Sequence, residues 1–179
     1  MKIAVTKEAL LEGLQRIQNV VSTRPTLPVL TNVLLEADES GVQLTTTDLE
    51  VGIRCRIEAR VEKPGATTLP ARKLVSIIRE LPSSEITIDV DSKNIASIRC
   101  GSSFFKIYGL PREEFPAFPV FTEPKSLTLK QSELKDGLRK TSYAISNDEA
   151  RYVLNGILFS LQENKLTLVA TDGRRLALF

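Results

Sequence analysis

No histidine occurs anywhere in this chain of 179 residues. That removes the commonest general base and the commonest metal ligand together. Only two cysteines are present, so no thiolate cluster takes histidine's place. Cys55 and Cys100 both fall within strand-like alternation and read as small buried hydrophobes rather than a disulfide or redox pair. Neither GxxxxGK[ST] nor GxGxxG is found, so no nucleotide cradle is indicated. Apolar runs last only a few residues, far short of a membrane span. The opening MKIAVTKEALLEGL carries charges inside its apolar stretch and no small-residue cleavage site, which argues against a signal peptide. A cytoplasmic location without cofactor or metal is the expectation, and catalysis starts with few candidate groups. What is present is ordinary for a soluble globular protein: 42% hydrophobic and 26% charged residues, in a chain long enough to bury a core.

The organising feature is a repeat. Shifted against itself by 124 residues, the sequence returns without a gap. IAVTKEALLEGLQRIQNVVS (3–22) lies on LTLKQSELKDGLRKTSYAIS (127–146), VLTNVLLE (29–36) on VLNGILFS (153–160), and LTTTDLE (44–50) on LVATDGR (168–174). Identities include Gly13/Gly137, Leu14/Leu138, Leu30/Leu154, Leu34/Leu158, Thr47/Thr171 and Asp48/Asp172. Two copies of one domain of about 120 residues are expected, with boundaries at 1–120 and 121–179. The repeated Thr-Asp reads as a structural corner, since an Asp at a strand break can accept backbone N–H bonds and hold a turn.

Within the first copy, a strand over 2–5 leads to a helix over 7–21, with Leu10, Leu14, Ile17 and Val21 on one face. Strands follow near 29–36 and 42–46. Leu49, Val51, Ile53, Cys55, Ile57, Ala59 and Val61 then alternate with polar or small residues, predicting one long strand. Segment 63–82 predicts a turn, an extended piece and a helix ended by Pro82, with Leu74, Ile77, Ile78 and Leu81 inward. Runs 85–90 and 95–110 read as strands, and the four prolines of 111–125 as an extended linker. The fold class is α+β, with helices covering one face of antiparallel sheets.

Net charge is only slightly positive, with 24 basic and 22 acidic residues, but the helices concentrate the excess. Arg72, Lys73 and Arg79 stand against Glu80; Lys130, Lys135, Arg139 and Lys140 stand against Glu133 and Asp136. A tight DNA-binding protein carries a heavier basic stripe than this. The mild bias suits a surface that tolerates phosphates without gripping them, and equally suits solvated helix faces.

RPTLPVLTNVLLEA, TTTDLEVGI, PGATTLPARKLVSIIRELP, LPREEFPAFP, RYVLNGILF and VATDGRRLAL, in this order, resemble the beta subunit family of bacterial DNA polymerase III, the sliding clamps. The resemblance covers essentially the whole chain and corresponds to a first domain and roughly half of a second, with the third domain absent. It implies a DNA-clamp fold and a subunit that closes head to tail with a second copy around duplex DNA. It also implies docking of polymerase and clamp-loader subunits through short hydrophobic peptides. Carried over by position, the peptide groove would use Leu154, Thr171, Gly173, Arg174, Arg175 and Leu176, with Arg174 where relatives often have histidine. DNA contacts would come from Arg24 and Tyr152, with Arg72, Lys73, Arg79, Lys135 and Arg139 on the basic helices. Phe105 and Ile107 would face the second subunit.

The leading reading is a non-enzymatic processivity factor; a clamp-derived binding module that forms no ring is the alternative. An enzyme using Asp48 or Asp172 with Arg175 is the weakest, for want of an accompanying base, nucleophile or metal.

Overall fold

The computed structural model describes residues 1–21, 27–118, 126–163 and 165–179. The chain divides into two compact units, Met1–Val120 and Phe121–Phe179.

Unit 1 begins with β1 (Lys2–Thr6), whose last residue caps the helix α1 (Lys7–Ile17): the Thr6 hydroxyl accepts from Ala9 N–H at 3.3 Å. Leu10, Leu14 and Ile17 are buried on one face, as their spacing predicts. The α-helix stops four residues short of the expected end and tightens into a 3-10 turn over Gln18–Val20. The cause is local. The Thr46 hydroxyl donates to the Ile17 carbonyl at 2.8 Å, and Val21 N–H turns instead to Gln18 O at 3.1 Å.

The chain continues through β2 (Asn32–Asp38), β3 (Gly41–Thr47), β4 (Gly52–Ile57), β5 (Arg60–Lys63) and β6 (Gly65–Pro70) into α2 (Ala71–Glu80). It closes with β7 (Glu85–Val90), β8 (Ile95–Cys100) and β9 (Ser103–Tyr108). Two antiparallel sheets result, in the orders β5-β1-β7-β8-β9 and β4-β3-β2-β6. Helices α1 and α2 pack on each other, α1 lying on β3 and β4 and α2 on β2 and β6. One core joins both sheets to both helices, with Ile3, Leu14, Leu44, Leu74, Ile78 and Ile88 at most 1% exposed. Lys7 Nζ donates to the carbonyls of Arg79 and Leu81, tying the start of α1 to the last turn of α2.

Three expectations are corrected. Residues Pro28–Thr31 form a 3-10 turn, with proline at its start, so the strand begins only at Asn32. The long strand over 49–61 is two strands in two different sheets, β4 beside β3 and β5 beside β1. The alternation survives the break because Ile53, Cys55, Ile57, Ala59 and Val61 all face the same core, whereas Leu49 and Val51 are more than half exposed in the corner before β4. The run 95–110 is a hairpin, β8 and β9 joined at Gly101 (φ 55) with Cys100 opposite Ser103; glycine accepts that left-handed backbone without steric cost.

The expected linker is, in its described part, a strap. Leu110 exchanges both backbone bonds with Thr68, at 3.0 and 3.1 Å. Phe115 is 7% exposed against Val29 and Leu34. The Phe118 ring lies under the Arg54 guanidinium at 4.2 Å and leaves no room for a side chain at Gly52, whose added Cβ would sit 2.5 Å from Phe118 Cε2. Residues 119–125 fall outside the described residues.

Unit 2 holds α3 (Gln131–Thr141), followed by 3-10 turns at Ser142–Ala144 and Glu149–Leu154, then the antiparallel sheet β10 (Leu158–Gln162), β11 (Lys165–Thr171), β12 (Leu176–Leu178). Helix α3 packs on β11 and β12, burying Gly137, Thr141, Leu168, Ala170 and Ala177. The opposite sheet face carries Leu158, Leu176 and Leu178, each more than 60% exposed. The fold class is the expected one: antiparallel sheets with few helices.

Candidate partner and nucleic-acid surfaces

The two Thr-Asp corners share one hydrogen-bond plan. In unit 1, Thr47 Oγ1 accepts from Leu49 N–H at 3.0 Å and donates to Val51 O at 2.9 Å. Asp48 Oδ1 accepts from Glu50 and Val51 N–H at 3.0 and 2.7 Å. In unit 2, Thr171 Oγ1 accepts from Gly173 N–H at 3.1 Å and donates to Arg175 O at 2.7 Å. Asp172 Oδ1 accepts from Arg174 and Arg175 N–H at 2.9 and 3.0 Å. Those backbone donors, with the Arg175 guanidinium beside them, hold the Asp172 carboxyl below its ordinary range. A carboxylate so occupied builds a turn, and acid rather than base loosens it.

The corners differ in one residue that matters. Position three has φ 83 at Leu49 and φ 86 at Gly173, a conformation that costs a non-glycine residue about 1 kcal/mol. Gly173→Val should therefore destabilise unit 2 by about 2 kcal/mol, and Leu49→Gly should cost unit 1 little or nothing. Denaturant midpoints of the two variants test this, and equal losses would refute the shared corner.

This corner borders a cleft of about 420 Å³ lined by Val153, Leu154, Gly156, Ile157, Leu158, Val169, Ala170 and Thr171. Of the six groove residues expected, Leu154 and Thr171 line it. Leu176 pairs with Thr171 on the same exposed sheet face but does not line the cleft. Arg174 and Arg175 line a separate polar recess of about 300 Å³ with Ser146, Asp148, Arg151 and Asp172. Arg175 Nε bonds Asp172 at 3.0 Å and its guanidinium stands 5.8 Å from the Tyr143 ring. Gly173 approaches Arg151 closely: a Cβ there would meet Arg151 Nη1 at 3.3 Å. Sequence reading missed Val169 and Arg151. Period-two spacing from Thr171 places Val169 on the same face; for Arg151 the signal is its i,i+3 spacing from Asp148, to which it pairs at 3.6 Å.

On α2, Arg72, Lys73 and Arg79 are exposed along one face and none is paired with a carboxylate among the described residues. On α3 the excess is largely compensated: Arg139 and Lys140 both bond Asp136, at 2.8 and 2.7 Å, and Lys130 reaches Glu133 at 3.4 Å, which leaves exposed Lys135. Tyr152 is 79% exposed in the turn that Asp148 caps. Arg24 lies outside the described residues.

At the edge of the five-stranded sheet, β9 presents Phe104, Phe105 and Tyr108 to solvent. Ile107 does not join them. It is 1% exposed in the unit 1 core, on the face that packs inward from β8 and β9, so its side chain is unavailable to a second subunit.

Residues 1–119 match the model of the DNA polymerase III beta subunit N-terminal domain, and residues 128–179 that of its central domain. The Chlamydia muridarum beta sliding clamp is 38% identical over 177 residues, spanning 99% of this chain and 48% of the relative. The Pseudomonas putida beta sliding clamp is 43% identical over 183 residues, spanning 99% and 49%. The crystal structure of the Bacillus subtilis DNA polymerase sliding clamp superposes with TM-score 0.92 at 31% identity, and Caulobacter crescentus pol III beta with 0.91 at 35%; each likeness covers 99% of this chain and 49% of the other. The chain thus spans about half the length of the relatives it matches. With both domain models satisfied in order and the clamp fold in place, this chain belongs to the DNA polymerase III beta subunit family, the beta sliding clamps.

Proposed function

We propose that the chain supplies clamp domain one (1–120) and the first half of clamp domain two (121–179) of a ring-forming, non-enzymatic processivity factor that encircles duplex DNA in the cytoplasm. The observation that carries this reading is that 99% of this chain matches beta sliding clamps in both sequence and structure, across about half the length of each. In it, the α2 face with Arg72, Lys73 and Arg79 meets phosphates without reading bases, because point charges on a helix supply attraction but no base-edge geometry. Lys135, Arg139 and Tyr152 serve the same duplex from the second domain, Arg139 more weakly because Asp136 already holds it. The edge of β9, through Phe104, Phe105 and Tyr108, is the surface for a second subunit.

The unit 2 cleft docks the hydrophobic peptides of polymerase and clamp loader. Val153, Leu154, Ile157, Leu158 and Val169 supply an apolar wall, and Leu176, 64% exposed beside Thr171, extends it. Fluorescence anisotropy with a labelled hydrophobic clamp-binding peptide tests this assignment. Leu154→Ala combined with Leu176→Ala should weaken binding by about tenfold or more, the loss of two apolar anchors. Undiminished affinity in the double variant would remove the groove from this face.

A further inference from the structure

Unit 1 contains a recess that the repeat relates to the unit 2 sheet. It measures about 240 Å³, lies between the strap and the outer face of the four-stranded sheet, and has Leu34, Thr45, Arg54, Arg112, Phe115 and Phe118 among its walls. Leu34, Thr45 and Arg54 stand side by side across β2, β3 and β4. Advanced by 124 residues they become Leu158, Val169 and Leu178, side by side across β10, β11 and β12. The position on the sheet is the same; two of the three chemistries are not. Where unit 2 has valine and leucine, unit 1 has a hydroxyl and a guanidinium.

One of the two polar groups is buried without a partner, and the other is exposed with no carboxylate paired to it among the described residues. Thr45 is 1% exposed and its Oγ1 has no hydrogen-bond partner. A buried hydroxyl left that way is costly, and native structures rarely tolerate one without a use. Arg54 lies over the Phe118 ring at 4.2 Å, and no carboxylate is paired with it among the described residues. Arg112, by contrast, is neutralised by Glu36 at 2.9 Å. The recess therefore holds one guanidinium without a carboxylate partner among the described residues beside one idle hydroxyl, with Glu113 also on its wall and Leu34, Phe115 and Phe118 as apolar surroundings.

We propose that this recess binds a monocarboxylate with a compact apolar body. The planar guanidinium of Arg54 matches a carboxylate by paired N–H donors, the Thr45 hydroxyl donates to the same group, and the apolar portion lies on Leu34 and Phe115. Exposed Glu113, which also lines the recess, repels a second negative charge and disfavours diacids. The same chemistry is offered by a free small acid and by the C-terminus of a peptide ending in an apolar residue. The proposal is independent of what docks on unit 2.

Calorimetric titration of the 179-residue chain with 3-phenylpropanoate and with its neutral amide tests it. The acid should bind saturably and the amide about tenfold more weakly or worse, for loss of the charge-assisted bonds. Arg54→Leu and Thr45→Val install the residues that unit 2 already carries on the same sheet position. Each should weaken the acid several-fold, and Thr45→Val should melt no lower than the parent, because it removes an orphaned hydroxyl. A tripeptide ending in phenylalanine, with free or amidated C-terminus, distinguishes the source: binding of the free form points to a chain end, and its exclusion to a small acid. Equal affinity for acid and amide, no saturation by about 10 mM, or unchanged affinity in both variants would overturn the proposal.

Discussion

Gly13→Leu should lower the stability of unit 1 by about 3 kcal/mol or more, enough to abolish folding if the parent is marginal. A Cβ at this position would lie 2.6 Å from Ile57 Cγ2 and 3.0 Å from Leu44 Cδ1, inside contact distance before any further atom is added. Neither neighbour can retreat, since Leu44 is fully buried and Ile57 is 7% exposed in the same core. Nor can the helix roll away, because Leu10, Leu14 and Ile17 anchor it on either side. Gly13→Ala separates the terms: its Cβ alone already makes both clashes, so alanine should still destabilise unit 1, less than leucine does because it adds no further atoms and gains up to about 1 kcal/mol of helix propensity. The repeat makes its own control. A Cβ at Gly137 would lie 2.6 Å from Leu168 Cδ1 and 2.8 Å from Phe179 Cδ1, and leucine there should damage unit 2 in the same way. Denaturant unfolding followed by circular dichroism reads the effect; a parental midpoint for Gly13→Leu would mean that α1 does not sit this close to the sheet.

Phe115→Ala should cost about 3 kcal/mol, as expected for removing a buried aromatic side chain. Its effect should be local. Phe115 packs on Val29 and Leu34 in a cluster separate from the main core, so its loss releases the strap while both sheets remain. Hydrogen exchange gives the map: the Leu110 and Thr68 amides, which bond each other's carbonyls, should lose protection, and Ile88 in the central strand β7 should not. Uniform loss of protection would show that the strap and the core unfold together.

Much of this architecture is legible in the residues, for reasons that differ from place to place. The 124-residue offset works because a helix glycine seated on a sheet and a Thr-Asp pair that fills four backbone bonds each impose a requirement that few residues meet. Thus Gly13/Gly137 and Asp48/Asp172 stand out as pairs, and the corners they predict are matched bond for bond. Alternation is less discriminating. It ran straight through Glu58 and Ala59 because two strands in different sheets turn their apolar sides to one interior, and it took in Leu49, whose positive φ no propensity signals. The same blindness misplaced Ile107: its spacing from Phe105 puts both on one face of β9, and only the completed sheet shows that Ile107 is sealed in the core while Phe105 stays 39% exposed. The cleft was half visible. Leu154 and Thr171 came from resemblance, whereas the separation of Arg174 and Arg175 into their own recess depends on Asp172 and Tyr143 drawing Arg175 aside, a tertiary choice. The strap was hidden by its prolines, which announce an extended segment but not what it lies on.

The sulfur of Cys55 lies 3.5 Å from the Gly13 carbonyl, under the middle of α1, and burial pushes its thiol up from the ordinary value. Thiolate is the reactive form, so alkylation of Cys55 is slow while the helix is seated and quickens whenever it lifts. The molecule carries its own chemical clock for breathing of the first domain, readable as the mass that alkylation adds at Cys55.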